Sequence, residues 1–441
     1  MLDIKFIREH PEKIKEALQK RSMVFDVDYL LEVDQKRRKK IKEVDDMRKQ
    51  HNEMSKRIPI LQGDEKQSMI EESKSLKVQL GDAEFEVKAL EEEFISLMHK
   101  IPNIPESHVP VGKDENDNMV LREVGDKPKF DFKPRDYIEL GEKLDFIDTQ
   151  RAAKVSGARF GYLKHEAPLL EFALVQFAMD FVGNEENIKK IVHERKLDIS
   201  TKPFIPIVPP VLIKPEAMAA MGYLDRGEDE IYHIPKDNLY LVGTSEQSVG
   251  PMHMNEIFEE EKMPHRHIAF STCFRREAGS YGKDTRGILR VHQFDKVEMF
   301  VFATPETSRQ EHQLLLGIEE HLMQGLGIAY RVLDICTGDL GDSAAAKYDI
   351  EAWLPGQKEG TGEYRETHST SNTTDFQSRR LNIKVKRKNG TTEFLHMLNG
   401  TAFAIGRTLI AILETYQQED GSLRVPNVLQ PYLGGIKEIR R

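Results

Sequence analysis

Tryptophan occurs once and cysteine twice in this chain of 441 residues. Cys273 and Cys336 lie far apart and without Cys-x-x-Cys spacing, so neither a disulfide framework nor a cysteine zinc site organises the fold. They read as two small buried residues. No run approaches the roughly eighteen apolar residues that a membrane-crossing helix needs. The opening MLDIKFIREHPEK lacks the apolar stretch of a signal peptide, so the expected location is cytoplasmic, with no membrane partner. Neither Gly-x-x-x-x-Gly-Lys-Ser/Thr nor Gly-x-Gly-x-x-Gly occurs, so any nucleotide must be held without those loops. An excess of basic residues is missing as well. With 64 Lys and Arg against 74 Asp and Glu, the net charge of -10 argues against a surface wrapped in nucleic acid and against DNA as a partner. It leaves room for a local basic face.

Such a face is expected near the start. Residues 1 to 60 hold sixteen Lys or Arg against twelve Asp or Glu. Asp3 to Gln19 reads as one amphipathic helix with Phe6, Ile7, Ile14 and Leu18 on its apolar side and Pro11 near an early turn. From about Asp28 a heptad begins. Leu30, Val44, His51 and Ile58 form one row, and Val33, Met47, Met54 and Leu61 the other, with Arg37 and Lys40 interrupting them. After a break at Gln62 to Glu65, Met69, Leu76, Ala83, Leu90 and Leu97 make a further row beside Leu80, Val87 and Phe94. Two long heptad helices joined by a few residues predict an antiparallel coiled-coil hairpin, roughly 50 Å long at 1.5 Å per residue. On the pattern alone, a dimerising coiled coil, a spacer and a nucleic-acid-contacting arm all remain open. If it is such an arm, Lys36, Arg37, Arg38, Lys39 and Lys40 are its candidates for contacting a phosphate-rich partner. The Pro-, Asn- and Asp-rich connector Ile101 to Asn118 marks the boundary, dividing the chain into residues 1–105 and 106–441.

Beyond it, strand-like segments recur with few intervening helices, apart from Ala167 to about Gly183 and Phe403 to Tyr416. That spacing predicts an α+β fold built on a mostly antiparallel β-sheet flanked by helices. The most informative stretch is FSTCFRREAGSYGKDTRGILRVHQFDKVEMF, Phe270 to Phe300. Strand Ile268 to Phe274, a Gly-rich loop Gly279 to Gly287, and an alternating strand Leu289, Val291, Phe294, Val297, Met299 make a long hairpin. It gathers Arg275, Glu277, Arg286 and Glu298 near one mouth. Guanidinium forks suit a polyphosphate and a neighbouring carboxylate suits an amine, but an edge hairpin with a solvated loop fits equally well.

FRREAG followed by RVHQFDKVE resembles the second signature motif of the class II aminoacyl-tRNA synthetases, in the form seen in seryl-tRNA synthetases. NGTAFAIGRTLIAILE, Asn399 to Glu414, resembles the third. LVGTSEQ, DICTGDLGDSAAAKYDIEAWLP, YRETHSTSNTTDFQSRRL and YQQEDGSLRVPNVLQPYLGG are similar to the same family in the same order, so the resemblance spans essentially the whole chain. PPVLIKPEAMAAMGYL resembles the weakly defined first motif, a dimer-interface element.

The resemblance implies a homodimeric, ATP-dependent ligase that activates L-serine and passes it to the 3′ end of tRNA(Ser), and of tRNA(Sec) where the host has one. It implies Arg275 on the α-phosphate and serine carboxylate, Glu277 on the adenine amino group, Val291 beside the nucleotide, and Arg407 on the γ-phosphate side. Glu366, Thr367, His368 and Ser369 align with the family's ATP segment. Glu351, Glu366 and Ser369 align with the positions expected to hold Mg²⁺. Thr244, Ser245 and Glu246 stand where the family grips the serine ammonium. Glu298 stands where it accepts the serine hydroxyl, with Asn399 and Thr401 beside the substrate. The amino-terminal arm then reaches the long variable arm of the tRNA.

Several positions depart from the family's pattern. Ser245 replaces the usual alanine, Thr401 the usual serine, and Thr367-His368 a smaller pair. MAAMGYLDRGEDEIYHI differs from the usual segment that closes over the substrate. None of these removes a charged group. His265 and His267 lack further ligands at a recognised spacing and read as structural.

Overall fold

The computed structural model describes residues 1–225, 227–279, 284 and 286–441. Most of the loop predicted at Gly279 to Gly287, including Ser280 to Lys283 and Thr285, lies outside the described residues, as does Arg226. The chain forms two compact units, Met1–Pro102 and Asn103–Arg441.

In the first unit the expected single opening helix is two. Helix α1 (Ile4–Glu9) ends at His10 and α2 (Pro11–Lys20) starts on Pro11. Proline has no amide hydrogen to donate to the preceding turn but suits the first helical position. Helix α3 (Val27–Arg57) is capped by Asp26, which accepts from the Tyr29 amide at 2.9 Å, and α4 (Gly63–His99) returns beside it. The pairing is antiparallel, because partners on α4 run backwards as those on α3 run forwards. Tyr29 bonds Glu93, Lys40 meets Glu86 at 2.8 Å, and Arg48 meets Glu84 at 2.7 Å. Leu30, Val33 and Val44 are buried on α3, as are Ala83, Phe94 and Met98 on α4.

The two interruptions of the heptad belong to this seam. The Arg37 guanidinium lies 4.2 Å over the Phe94 ring. Asp34 is fully buried and is held by Arg38 at 2.9 Å, Arg37 at 3.5 Å and Arg8 at 3.6 Å.

The second unit is built on an eight-stranded sheet. Its strands in chain order are β1 (Met119–Val124), β2 (Ile205–Ile207), β3 (His265–Phe274), β4 (Gln293–Ala303), β5 (Tyr330–Asp334), β6 (Ala346–Leu354), β7 (Glu363–Asn372) and β8 (His396–Ala404). In space they lie β1-β5-β6-β7-β8-β4-β3-β2. Every neighbouring pair is antiparallel except β2 with β3. The second strand of the hairpin starts at Gln293, four residues later than the alternation predicts. Leu289 and Val291 are instead buried residues of the loop before it.

One face of the sheet is apolar. Val297, Met299 and Val301 of β4, Ile350 and Ala352 of β6, and Leu398 and Ala402 of β8 pack there against α5 (Glu166–Gly183), α6 (Ser308–Leu326) and α7 (Ile405–Tyr416). Because side chains alternate along a strand, their neighbours Lys296, Glu298, Lys347, Asn399 and Thr401 line the opposite face. Cys273 and Cys336 are both buried and unbridged. Among the described residues no helix is long and apolar enough to cross a membrane.

Candidate active site

A cavity of about 640 Å³ opens on that polar face. It is lined by Thr244, Glu246, Arg275, Glu277, Val291, Glu298, Glu366, Thr367, Ser369, Asn399, Thr401 and Arg407, with Tyr223, Lys296 and Lys347 among them. Residues spread over more than 160 positions of sequence therefore meet in one place.

Part of its lining is a small cluster of buried charge. Glu298 is 2 % exposed. Its Oε1 accepts from Lys296 Nζ at 2.8 Å, and its Oε2 accepts from the hydroxyls of Thr244 and, at 3.3 Å, Ser245. Glu246 is buried beside it and accepts from the Tyr223 hydroxyl. Burial first, and then the charge of Glu298, push the Glu246 carboxyl up to about 8, although Lys296 and Arg275 oppose the shift.

Arg275 follows β3 directly. Its amide donates to His292 O at 3.0 Å and its Nε to Gly243 O at 3.1 Å, which fixes the guanidinium at the cavity wall. Glu277 holds a left-handed backbone, φ 53°, and pairs with Arg290 at 3.1 Å. At the other end Arg407, on the first turn of α7, donates to Glu366 O at 2.9 Å and meets its carboxylate at 3.3 Å. The surrounding protein disfavours charge on Glu366, but Arg407, Lys347 and Arg275 outweigh this and pull its pKa down to about 2.

Three residues expected in the site are placed elsewhere. Strands β6 and β7 pair Ile350 with His368 and Glu351 with Glu366, so Thr367 is an extra residue on β7. His368 is 1 % exposed, with Nδ1 2.8 Å from Thr367 Oγ1 and its ring 5.8 Å from that of Phe403, and it does not line the cavity. Glu351 accepts from Arg331 Nε at 2.5 Å on the neighbouring strand and also stands outside the lining. Ser245 is fully buried behind Glu298, so its hydroxyl serves that carboxylate and does not face the cavity.

Four residues were missed from the sequence. Lys296 precedes Glu298 by two on a strand, and that spacing alone put it on the same face. Tyr223 and Lys347 reach the cavity only through the tertiary fold. Asp349 stands opposite Ser369 across the strand pair, with Oδ1 buried and without a hydrogen-bond partner among the described residues. Burial, and Glu366 after it, raise this carboxyl to about 6.

The basic run on α3 divides as well. Arg37 and Lys40 are spent in the seam with α4, because heptad positions face the partner helix. Lys36 pairs with Glu32 at 2.7 Å and Arg38 with Asp34, whereas Lys39 is exposed.

Comparison with known proteins supports the same reading. The tRNA synthetase class II core domain (G, H, P, S and T) matches residues 231–416, and the seryl-tRNA synthetase N-terminal domain matches residues 1–105. A serine–tRNA ligase of Dictyoglomus turgidum is 44% identical over 100% of this chain and 99% of its own. One from Thermobifida fusca is 45% identical over 98% of each. Among solved structures, the seryl-tRNA synthetase of Pyrococcus horikoshii complexed with ATP superimposes with a TM-score of 0.86 at 39% identity, covering 100% of this chain and 99% of that one. The cytoplasmic serine–tRNA ligase of Naegleria fowleri in complex with AMP gives 0.83 at 35% identity, over 100% and 99%.

Proposed function

The chain belongs to the seryl-tRNA synthetase family of class II aminoacyl-tRNA synthetases, and on that premise we propose that it is an ATP-dependent serine–tRNA ligase acting in the cytoplasm. The observation that carries this reading is the convergence of Glu298, Glu246, Arg275, Glu277 and Arg407 on one cavity.

The serine ammonium meets Glu246, and its hydroxyl donates to Glu298, the carboxylate enclosed most completely. A site that must hydrogen-bond a hydroxyl rejects alanine, because a buried acceptor would lose its partner. A serine carboxylate oxygen attacks the α-phosphorus of ATP, the bond to the pyrophosphate oxygen breaks, and seryl-adenylate forms. Arg275 stands where charge builds on the α-phosphate, while Arg407 faces the departing pyrophosphate and Glu277 the adenine amino group. Much of the rate comes from positioning and fixed charge, so no protein nucleophile is required. The 3′-hydroxyl of the tRNA terminal adenosine then attacks the seryl carbonyl, and AMP leaves.

Glu366 and Ser369 present oxygen donors to the cavity, and Asp349, whose Oδ2 pairs with Lys347 at 3.1 Å, stands opposite Ser369 with Oδ1 buried, which suits Mg²⁺. When bound, magnesium neutralises charge on the phosphate oxygens. Glu351, tied to Arg331, has no part in this set.

The amino-terminal helices bind tRNA(Ser), and tRNA(Sec) where present, with Lys36, Arg38 and Lys39 as the basic residues left outside the seam. Assembly is a two-fold homodimer. Leu169 and Phe172 on α5, with Ile205, Val208 and Leu212 on and after β2, are large apolar residues left exposed on one chain, and they support this face as the interface. Serine-dependent exchange of pyrophosphate into ATP tests the activity. Folded, magnesium-supplied protein with no exchange overturns the reading.

A further inference from the structure

Beneath the polar cavity, on the apolar face of the sheet, α6 carries an acid that the reaction above does not use. Glu319 is 0 % exposed, and neither carboxylate oxygen has a hydrogen-bond partner among the described residues. An ionised carboxylate in that setting is very unfavourable. Burial first, then Asp349 and Glu320, raise its pKa well above the ordinary value, so the surroundings favour its neutral form. A leucine of similar size would pack there without a polar cost, so the retained carboxyl calls for a role.

Its position supplies one. Glu319 lies directly under Gly400 of β8. A β-carbon at residue 400 would stand 3.1 Å from Glu319 Oε1, 3.2 Å from Thr370 Oγ1 and 3.4 Å from Met299 Cε. The first two contacts are tighter than packed atoms ordinarily allow, so glycine is what lets the acid and the strand approach. Asn399 and Thr401, the residues on either side, line the cavity on the opposite face. Thr370 joins the same contact, donating its hydroxyl to Asn399 O at 2.9 Å.

We propose that Glu319 is a positioning residue for the serine subsite, acting through Gly400 and Thr370 to set the depth at which Asn399 and Thr401 stand in the cavity. The proposal rests on the serine-activating reading. It requires a small residue at 400 and a polar, uncharged group of this length at 319. The charged and titratable groups around Glu319 are Asp349 on β6, Lys296 and Glu298 on β4, Glu320 on its own helix, and His312, whose Nε2 lies 3.0 Å from Thr370 O. Lys296 alone among these favours its ionised form.

The test uses the full-length protein and pyrophosphate exchange, with KM measured separately for serine and ATP. Glu319→Ala is expected to raise the serine KM about tenfold or more while leaving the ATP KM within about twofold. Gly400→Ala should do the same, and the double variant should lose less than the sum of the two, since the added methyl enters space that the carboxyl vacates. Glu319→Gln, which keeps length and polarity, should restore the serine KM to within about threefold of the parent. An unchanged serine KM in Glu319→Ala, equal changes for serine and ATP, or strict additivity would each overturn the proposal.

Should the alanine variants fail to fold, Glu319→Gln still decides. The unfolded chain ionises this glutamate above about pH 4.3, while the fold raises its pKa and favours the neutral form. The thermal midpoint of Glu319→Gln relative to the parent should therefore rise steadily from pH 5 to pH 8. A constant difference means that Glu319 is ionised in the fold and overturns the proposal. A parent protein without serine-dependent exchange sinks the underlying activity, an outcome distinct from an active parent whose Glu319 variants behave normally.

Discussion

The ammonium of Lys296 lies 2.8 Å from Oε1 of Glu298, two residues further along the same strand. Glu246 is buried in the same cluster, where its carboxylate accepts from the Tyr223 hydroxyl and not from that ammonium. The missing positive charge is what an amino acid's ammonium group supplies.

A proton-linked prediction follows from this imbalance. With Glu246 raised to about 8, its carboxyl carries a proton at pH 7 while the site is empty. Serine's ammonium favours the ionised form, so binding should release close to one proton at pH 7. Affinity should improve as pH rises toward 8 and level off above it. Calorimetry in two buffers of different ionisation enthalpy measures the released proton directly, and Glu246→Gln should abolish it. The same shift makes Glu246 a stability cost that grows from about pH 4.3, where the unfolded glutamate ionises, up to pH 8. No buffer dependence would show that Glu246 is already charged.

Glu298→Gln should lower serine activation ten- to a hundredfold. Removing a charged acceptor costs roughly 1.5–3 kcal/mol, and about 1.4 kcal/mol corresponds to a factor of ten. The loss should fall on the serine KM and kcat/KM, with ATP binding little changed, because Glu277, Arg275 and Arg407 are untouched. Selectivity for serine over alanine should fall with it. An unchanged serine-to-alanine ratio would return Glu298 to a purely structural role held by Lys296 and Thr244.

The amino-terminal helices separate binding of tRNA from chemistry. Deleting Val33 to Leu97 and closing the gap with a short linker should leave pyrophosphate exchange within a few-fold of the parent, since every residue lining the cavity lies at or beyond Met221. Charging of serine tRNA should be nearly abolished. Charge reversal of Lys36 and Lys39, which leaves the Asp34 cluster intact, should act in the same direction and flatten the salt dependence of tRNA affinity. Normal charging by the deleted protein would refute the assignment.

Asp34 offers a purely structural test. It is fully buried and faces Arg8, Arg37 and Arg38, three cations drawn from two helices. Breaking a buried ion pair on one side costs about 3–5 kcal/mol. Asp34→Asn retains the shape, so a loss of about 2–3 kcal/mol in the first unit is expected. Chemical denaturation of the 1–102 helices, followed by helicity, measures it. A change below about 0.5 kcal/mol, the scale of a surface substitution, would show that the arginines are solvated.

What the sequence determined by itself was local and periodic. Heptads placed α3 and α4 and their antiparallel return, because seven-residue spacing is a property of one helix meeting another. Alternation put Glu298 on a strand and on its polar face, and the recurrence of strands called an antiparallel sheet. Ordered motifs marked Arg275, Glu277, Glu366 and Arg407. Tertiary structure decided which side chains those patterns leave free.

Arg37 and Lys40 read both as breaks in the heptad rows and as RNA-contacting candidates, and the structure turns them onto Phe94 and Glu86. The extra residue at Thr367 sets His368 against Phe403, and the adjacent strand gives Glu351 to Arg331. Motif alignment carries no information about a bulge or about the partner across a strand, since both depend on register between segments distant in the chain. The same reason hid Glu319. A glutamate on a helix reads as solvated until the sheet above it is placed, and only then does Gly400 reveal a carboxyl pressed against the floor of the site.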